Sequence, residues 1–120
     1  MRGLASILVL GVGMAWASRQ GSLLQQAPAR ASEQANPYAA SDEATRAGAK
    51  LYSRQCAACH GRDARGMGKA PALISPFVRE ASPGALFWLL RNGAVFHGMP
   101  SFAHLPDQQR WQIVTYLKSL

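Results

Sequence analysis

Cys56-Ala57-Ala58-Cys59-His60 brings two thiols and an imidazole together within five residues. On a turn of helix, side chains three residues apart lie on the same side. The two sulfurs can then add to the two vinyl groups along one edge of a porphyrin, while the next residue projects its imidazole toward the iron. C-x-x-C-H is the spacing of c-type haem attachment. Ala57 and Ala58 are small enough to leave the approaching ring edge clear. Two other chemistries use paired cysteines. A thiol oxidoreductase usually carries its pair beside a βαβ pattern, and no part of this chain alternates long enough to make strands. A structural zinc site needs four protein ligands, so His97 or His104 would have to join His60 and the only two cysteines.

A haem iron has a second face. Met99 is the best candidate for it, in Gly98-Met99-Pro100, 39 residues beyond His60. A neutral thioether opposite histidine favours the ferrous state and raises the reduction potential. His97 would give a bis-histidine site of lower potential, and His104 is a further option. Met67 stands too close to His60 in the chain to reach the far side. With both axial positions taken by protein, no coordination position remains for a substrate, and electron transfer is the chemistry left.

Three helical segments must position these groups. The first starts at Ser41, an N-cap with Asp42 and Glu43 in the favourable first turn, and runs through Ala44, Ala47, Leu51 and Tyr52 into the motif. Gly48 costs this helix about 1 kcal/mol relative to alanine, a cost offset where another helix crosses closely. The second opens with Ser82 as N-cap and Pro83 at the first helical position, then runs from Gly84 to Asn92 and stops at Gly93. The third begins near Pro106 and Asp107. Its rows Trp111, Val114, Leu117 and Ile113, Tyr116, Leu120 mark it as heavily buried. Between the first two helices, residues 61–82 read as a long loop without period. Such a loop is reasonable in a compact domain when it wraps a large rigid ligand. The fold class is all-α.

The 120 residues divide into three parts. Residues 1–17 read as an export signal: Arg2, a short apolar run and Ala15-Trp16-Ala17 as a small-x-small cleavage site. That run is shorter than the roughly 20 residues of a membrane span, and the other reading is a retained tether through residues 3–18. Residues 18–36 read as a flexible leader, and residues 37–120 as the folded domain. Export places the protein in the periplasm or a similar compartment. The formal charge of +7 then points to acidic redox proteins or an anionic membrane face rather than nucleic acid. Arg62, Arg65, Lys69 and Arg91 are candidates to pair with haem propionates, and Trp88 to pack on the ring or bond a propionate.

From about Ser41 to Leu120 the chain resembles the class I monohaem cytochromes c. The resemblance rests on Cys56-Ala-Ala-Cys-His60, the Gly48-to-Tyr52 spacing before it, Met99-Pro100 after it, and the aromatic-rich last helix. It implies a cytochrome c fold around one haem c, in which the first and last helices cross with Gly48 and Tyr52 against Ile113 and Tyr116. It implies that Ala70-Pro71-Ala72-Leu73 supplies the loop proline whose carbonyl accepts a hydrogen bond from the proximal histidine, His60. Leu86–Gly93 followed by Gly98–Phe102 looks like small cytochromes that accept electrons from exported dehydrogenases. The expected function is a non-enzymatic one-electron carrier with His60 and Met99 as iron ligands. Its partners would be an exported dehydrogenase or a terminal oxidase. The alternatives are a subunit fixed in a larger oxidoreductase, and a five-coordinate ligand-binding or peroxidase-type haem protein.

Overall fold

The computed structural model describes residues 23–120, so the expected signal at 1–17 and the tether at 3–18 lie outside the described residues. Among the described residues the chain runs through α1 (Ala29–Ser32), α2 (Asp42–Gln55), α3 (Ala57–His60), α4 (Pro76–Glu80), α5 (Pro83–Asn92) and α6 (Asp107–Ser119). Among the described residues the only β pairing is two isolated bridges, Met67 with Ala70 and Ala94 with Met99. The all-α fold is as expected.

The framework is the crossing of α2 and α6. The Ser41 side chain accepts from the Ala44 N–H, and Asp42 and Glu43 fill the first turn of α2. The buried residues of α2 are Ala44, Gly48 and Tyr52, a spacing of four that draws one line along the helix. At Gly48 the helices touch backbone to backbone. A Cβ there would lie 2.0 Å from the Gln112 carbonyl oxygen and 2.8 Å from Tyr116 Cβ. The Tyr52 and Tyr116 rings meet alongside, with centroids 5.3 Å apart. The resemblance placed Ile113, Tyr116 and their neighbours at this contact, and Tyr116 and Gln112 are the residues nearest Gly48, with Ile113 fully buried.

Helix α5 begins as its Ser-Pro start implies, with Ser82 accepting from the Ala85 N–H, and its chain turns at Gly93. It buries Leu86, Phe87 and Leu90. Phe87 stacks on Trp111 of α6 at 3.8 Å between centroids. The buried Arg110 guanidinium lies 4.6 Å from the Phe87 ring centre, bonds the Leu105 carbonyl and pairs with Asp107. Cation and ring together hold the entry to α6, where Pro106 offers no side-chain cap.

Two expectations give way here. The stretch 61–82 is not all loop, because α4 occupies Pro76–Glu80, with Ser75 accepting from the Val78 N–H. The C-terminal end of α4 is closed by Lys118 of α6, whose Nζ donates to the carbonyls of Val78, Arg79 and Ala81 at 3.3, 2.6 and 2.7 Å. Burial pulls the Lys118 pKa below the ordinary lysine value, while those three acceptors favour the charged form. The second departure is the leader. From residue 23 onward it lies on the domain: α1 packs against α5, and Leu24 against the core. Asn36 donates to Thr115 Oγ1 at 2.9 Å and accepts from the Tyr38 N–H. At Gly84 a Cβ would lie 2.0 Å from the Ala31 carbonyl oxygen, so backbone touches backbone there.

Candidate haem site

The cysteine motif begins where α2 breaks. The Cys56 N–H closes the last turn of α2 onto Tyr52, and φ at Cys56 is −120°, outside the helix. The Cys56 carbonyl then accepts from both Cys59 and His60 N–H, at 3.2 and 2.9 Å, winding the motif into one tight turn. The two cysteines are not joined to each other, Cys56 being buried and Cys59 exposed. Burial, and then the neighbouring Cys59, pushes the Cys56 thiol up to about 11. Among the described residues no three His, Cys, Asp or Glu side chains converge to hold a metal ion, so the zinc set does not assemble.

His60 is oriented from several directions. Its Nδ1 lies 2.8 Å from the Pro71 carbonyl oxygen. A carbonyl only accepts, so Nδ1 carries the proton, and in the neutral imidazole the lone pair is then on Nε2. The His60 carbonyl accepts from the Gly66 N–H at 2.8 Å, and the next carbonyl, that of Gly61, accepts from Tyr52 Oη at 2.7 Å. Tyr52 is 2% exposed. Burial first, and then Cys56, raise its pKa to about 12, which keeps the hydroxyl protonated as a donor. The loop that brings Pro71 round is pinned at Ala64, whose carbonyl accepts from Leu73 and Ile74 N–H at 2.7 and 3.1 Å. The Tyr52 hydroxyl and the Ala64 carbonyl had no part in the sequence expectations.

Met99 closes a short hairpin. Ala94 and Met99 exchange both backbone hydrogen bonds, at 2.9 and 3.1 Å, around a 3₁₀ turn at Val95–His97 and left-handed Gly98. The Phe102 N–H bonds the Leu90 carbonyl, tying the hairpin to α5. Met99 is half-buried against the same apolar cluster that contains Cys56. His97, His104 and Met67 are exposed. Arg62, Arg65, Lys69 and Arg91 are exposed as well, Arg65 within 3.5 Å of Asp63. Trp88 is half-buried and packs less deeply than Phe87.

The family model described as Cytochrome C oxidase, cbb3-type, subunit III matches residues 43–117, from the first turn of α2 almost to the end of α6. The chain belongs to this cytochrome c family. The cytochrome is 38% identical over 90 residues to the cytochrome c550 of Pseudomonas aeruginosa, covering 70% of this chain and 61% of that protein. Its fold is similar to the crystal structure of cytochrome cL from the marine methylotrophic bacterium Methylophaga aminisulfidivorans, with a TM-score of 0.59 and 29% identity. That likeness covers 69% of this chain and 57% of the other, so the cytochrome spans about three fifths of either relative's length. Its cofactor is haem c, attached covalently through Cys56 and Cys59. The residues present fit that group: two cysteines on one turn and an imidazole with one nitrogen committed to a carbonyl.

Proposed function

We propose that this cytochrome is a one-electron carrier, not an enzyme, with His60 and Met99 as the axial iron ligands. The observation that carries the reading is the hydrogen bond from His60 Nδ1 to the Pro71 carbonyl, which leaves Nε2 as the nitrogen free for iron. That bond also makes the imidazole more basic. Bound haem c supplies the one-electron couple between ferrous and ferric iron. The protein's part is to hold His60 fixed and to present Met99 from a hairpin with little freedom, packed against the apolar cluster. Of Met99, His97 and His104, Met99 is half-buried against the apolar core while both histidines are exposed. Two protein ligands would leave no open position for peroxide or a gas, which disfavours the five-coordinate reading.

The site of action is the periplasm or a comparable exported compartment, supported by the apolar run behind Arg2. The partners are acidic redox proteins, an exported dehydrogenase or a terminal oxidase. With Arg2 removed in the signal, twelve Lys and Arg against six Asp and Glu would draw the carrier toward such surfaces, and salt would weaken the attraction. A second reading has one observation behind it: the matching family is described as an oxidase subunit. As a fixed subunit the protein would transfer the same electron inside a permanent complex.

The test is a redox titration of the purified holoprotein followed by visible spectroscopy, on wild type and Met99→Ala. One reversible one-electron transition is expected. The wild type should show a sulfur-to-iron band at the red edge of its ferric spectrum, and the variant should lack it. An unchanged band in the variant would reject Met99 as ligand, and a high-spin five-coordinate spectrum in the wild type would reject the closed site.

A further inference from the structure

We propose that the Ala64–Gly66 turn is a positioning device for His60, fixing through backbone contacts how closely the Pro71 carbonyl stands to the His60 Nδ1 proton. This rests on the reading of His60 as an iron ligand. Ala64 has φ at +60°, and among the described residues it is the non-glycine residue in the left-handed region. A residue with a Cβ is disfavoured there, and such strain persists only where the surroundings hold it. The surroundings here are tight. Ala64 is fully buried and belongs to the apolar cluster that contains Tyr52 and Cys56. Its N–H bonds the Gly61 carbonyl at 3.2 Å, and its carbonyl takes the N–H groups of both Leu73 and Ile74.

Proline has no N–H, so Pro71 cannot be tied by its own amide and its neighbours must hold it. Met67 and Ala70 exchange both backbone bonds just before it, at 3.3 and 2.9 Å, and Ala64 holds Leu73 and Ile74 just after it. Gly66 reaches both partners of the His60–Pro71 bond. Its N–H bonds the His60 carbonyl at 2.8 Å. On its other side a Cβ would lie 3.1 Å from the Pro71 carbonyl carbon, and 2.9 Å from the Ala70 carbonyl oxygen and the Ala72 nitrogen. Only a residue without a Cβ lets the two peptides approach this closely. A looser bond at Nδ1 leaves the imidazole less basic, which disfavours the ferric state and raises the reduction potential. The shape of this turn therefore acts on the iron ligand through one proton.

The experiment compares wild-type holoprotein with Gly66→Ala, Ala64→Gly and Gly68→Ala. Gly68 also has positive φ, +54°, but a Cβ there meets nothing within 4 Å, so this variant controls for backbone strain alone. Solution titration reads the potential. NMR reads solvent exchange of the His60 Nδ1 proton and of the Leu73 and Ile74 amides. In Gly66→Ala the added Cβ should press Pro71 away from His60. The potential should rise, and the Nδ1 proton should exchange about five- to tenfold faster, the factor that one hydrogen bond's net worth implies. Ala64→Gly loses strain and a buried methyl together, so its Tm should stay close to wild type. Its Leu73 and Ile74 amides and its Nδ1 proton should exchange faster, and its potential should rise by less than in Gly66→Ala. Gly68→Ala should match wild type in potential and Nδ1 exchange. Wild-type potential and Nδ1 exchange in either folded variant of the turn would overturn the proposal, and Ala64→Gly decides alone if Gly66→Ala does not fold. A Gly68→Ala protein that shifts as far as the turn variants would overturn it too. A wild type without a reversible one-electron couple or a low-spin spectrum would instead reject the carrier reading and its ligands.

Discussion

Tyr52 sits at the join between the framework and the chemistry. Its ring is packed against Tyr116 in the α2–α6 crossing, and its hydroxyl donates to the carbonyl of Gly61, directly after His60. Phenylalanine would keep the packing and remove only the donor. The Gly61 carbonyl would then keep only its longer bond from the Ala64 N–H, at 3.2 Å, and the loss of the Tyr52 donor would cost about 0.5–1.5 kcal/mol. Tyr52→Phe is therefore expected to lower the Tm by several degrees while binding haem covalently in full. Because the lost bond lies beside the proximal histidine, loosening there should also broaden the ferric spectrum's temperature dependence. A Tm equal to wild type would show that the hydroxyl contributes nothing. The sequence marked Tyr52 as a member of a helical face and of the helix crossing but not as a donor, since a side-chain donor meeting a backbone acceptor nine residues on leaves no pattern to read. Pro71 became visible only through the family resemblance, for the same reason: its contribution is a carbonyl.

At the scale of elements, Gly84 decides how the N-terminal segment lies on the domain. The carbonyls of Ala31, Ser32 and Gln34 would stand 2.0, 2.9 and 2.9 Å from a Cβ at that position. Backbone oxygen cannot give way as a flexible side-chain end does, so Gly84→Ala must push α1 off α5, at a cost of about 1–3 kcal/mol. Limited proteolysis is expected to cut within residues 23–36 much faster in this variant, while haem attachment and the α2–α6 crossing stay intact. Equal cleavage rates would mean that the segment does not depend on this contact. The docking was invisible beforehand because much of it is made by backbone oxygens and by Asn36 bonding Thr115, neither of which creates a hydrophobic period. The main helices were legible because their caps and apolar rows are long enough to repeat. Helix α4 carries the same Ser-Pro opening at Ser75-Pro76 as α5 does at Ser82-Pro83, yet five residues are too few to show a period. The opening alone would have been the signal.

For the molecule as a whole, the question is what makes so short a chain fold cooperatively. Among the described residues, Tyr52, Ile113 and Val114 are the largest side chains fully removed from water, two of them on α6. A domain of this size buries a modest fraction of its surface and commonly depends on a disulfide, a metal or a cofactor for its margin. Its two cysteines are committed to haem c, so the cofactor is the remaining source. A porphyrin joined covalently to Cys56, beside the cluster that also holds Met99, adds apolar surface to the folded state that the unfolded chain cannot organise. Cys56→Ala combined with Cys59→Ala should therefore do more than release haem to acidic organic solvent. The purified variant should lose helical circular dichroism and replace a sharp thermal transition with a broad one of low enthalpy. If it instead melted sharply within a few degrees of the holoprotein, the α2–α6 crossing and the Phe87–Trp111 stack would be a sufficient core by themselves. The haem would then act in electron transfer without being needed for the fold.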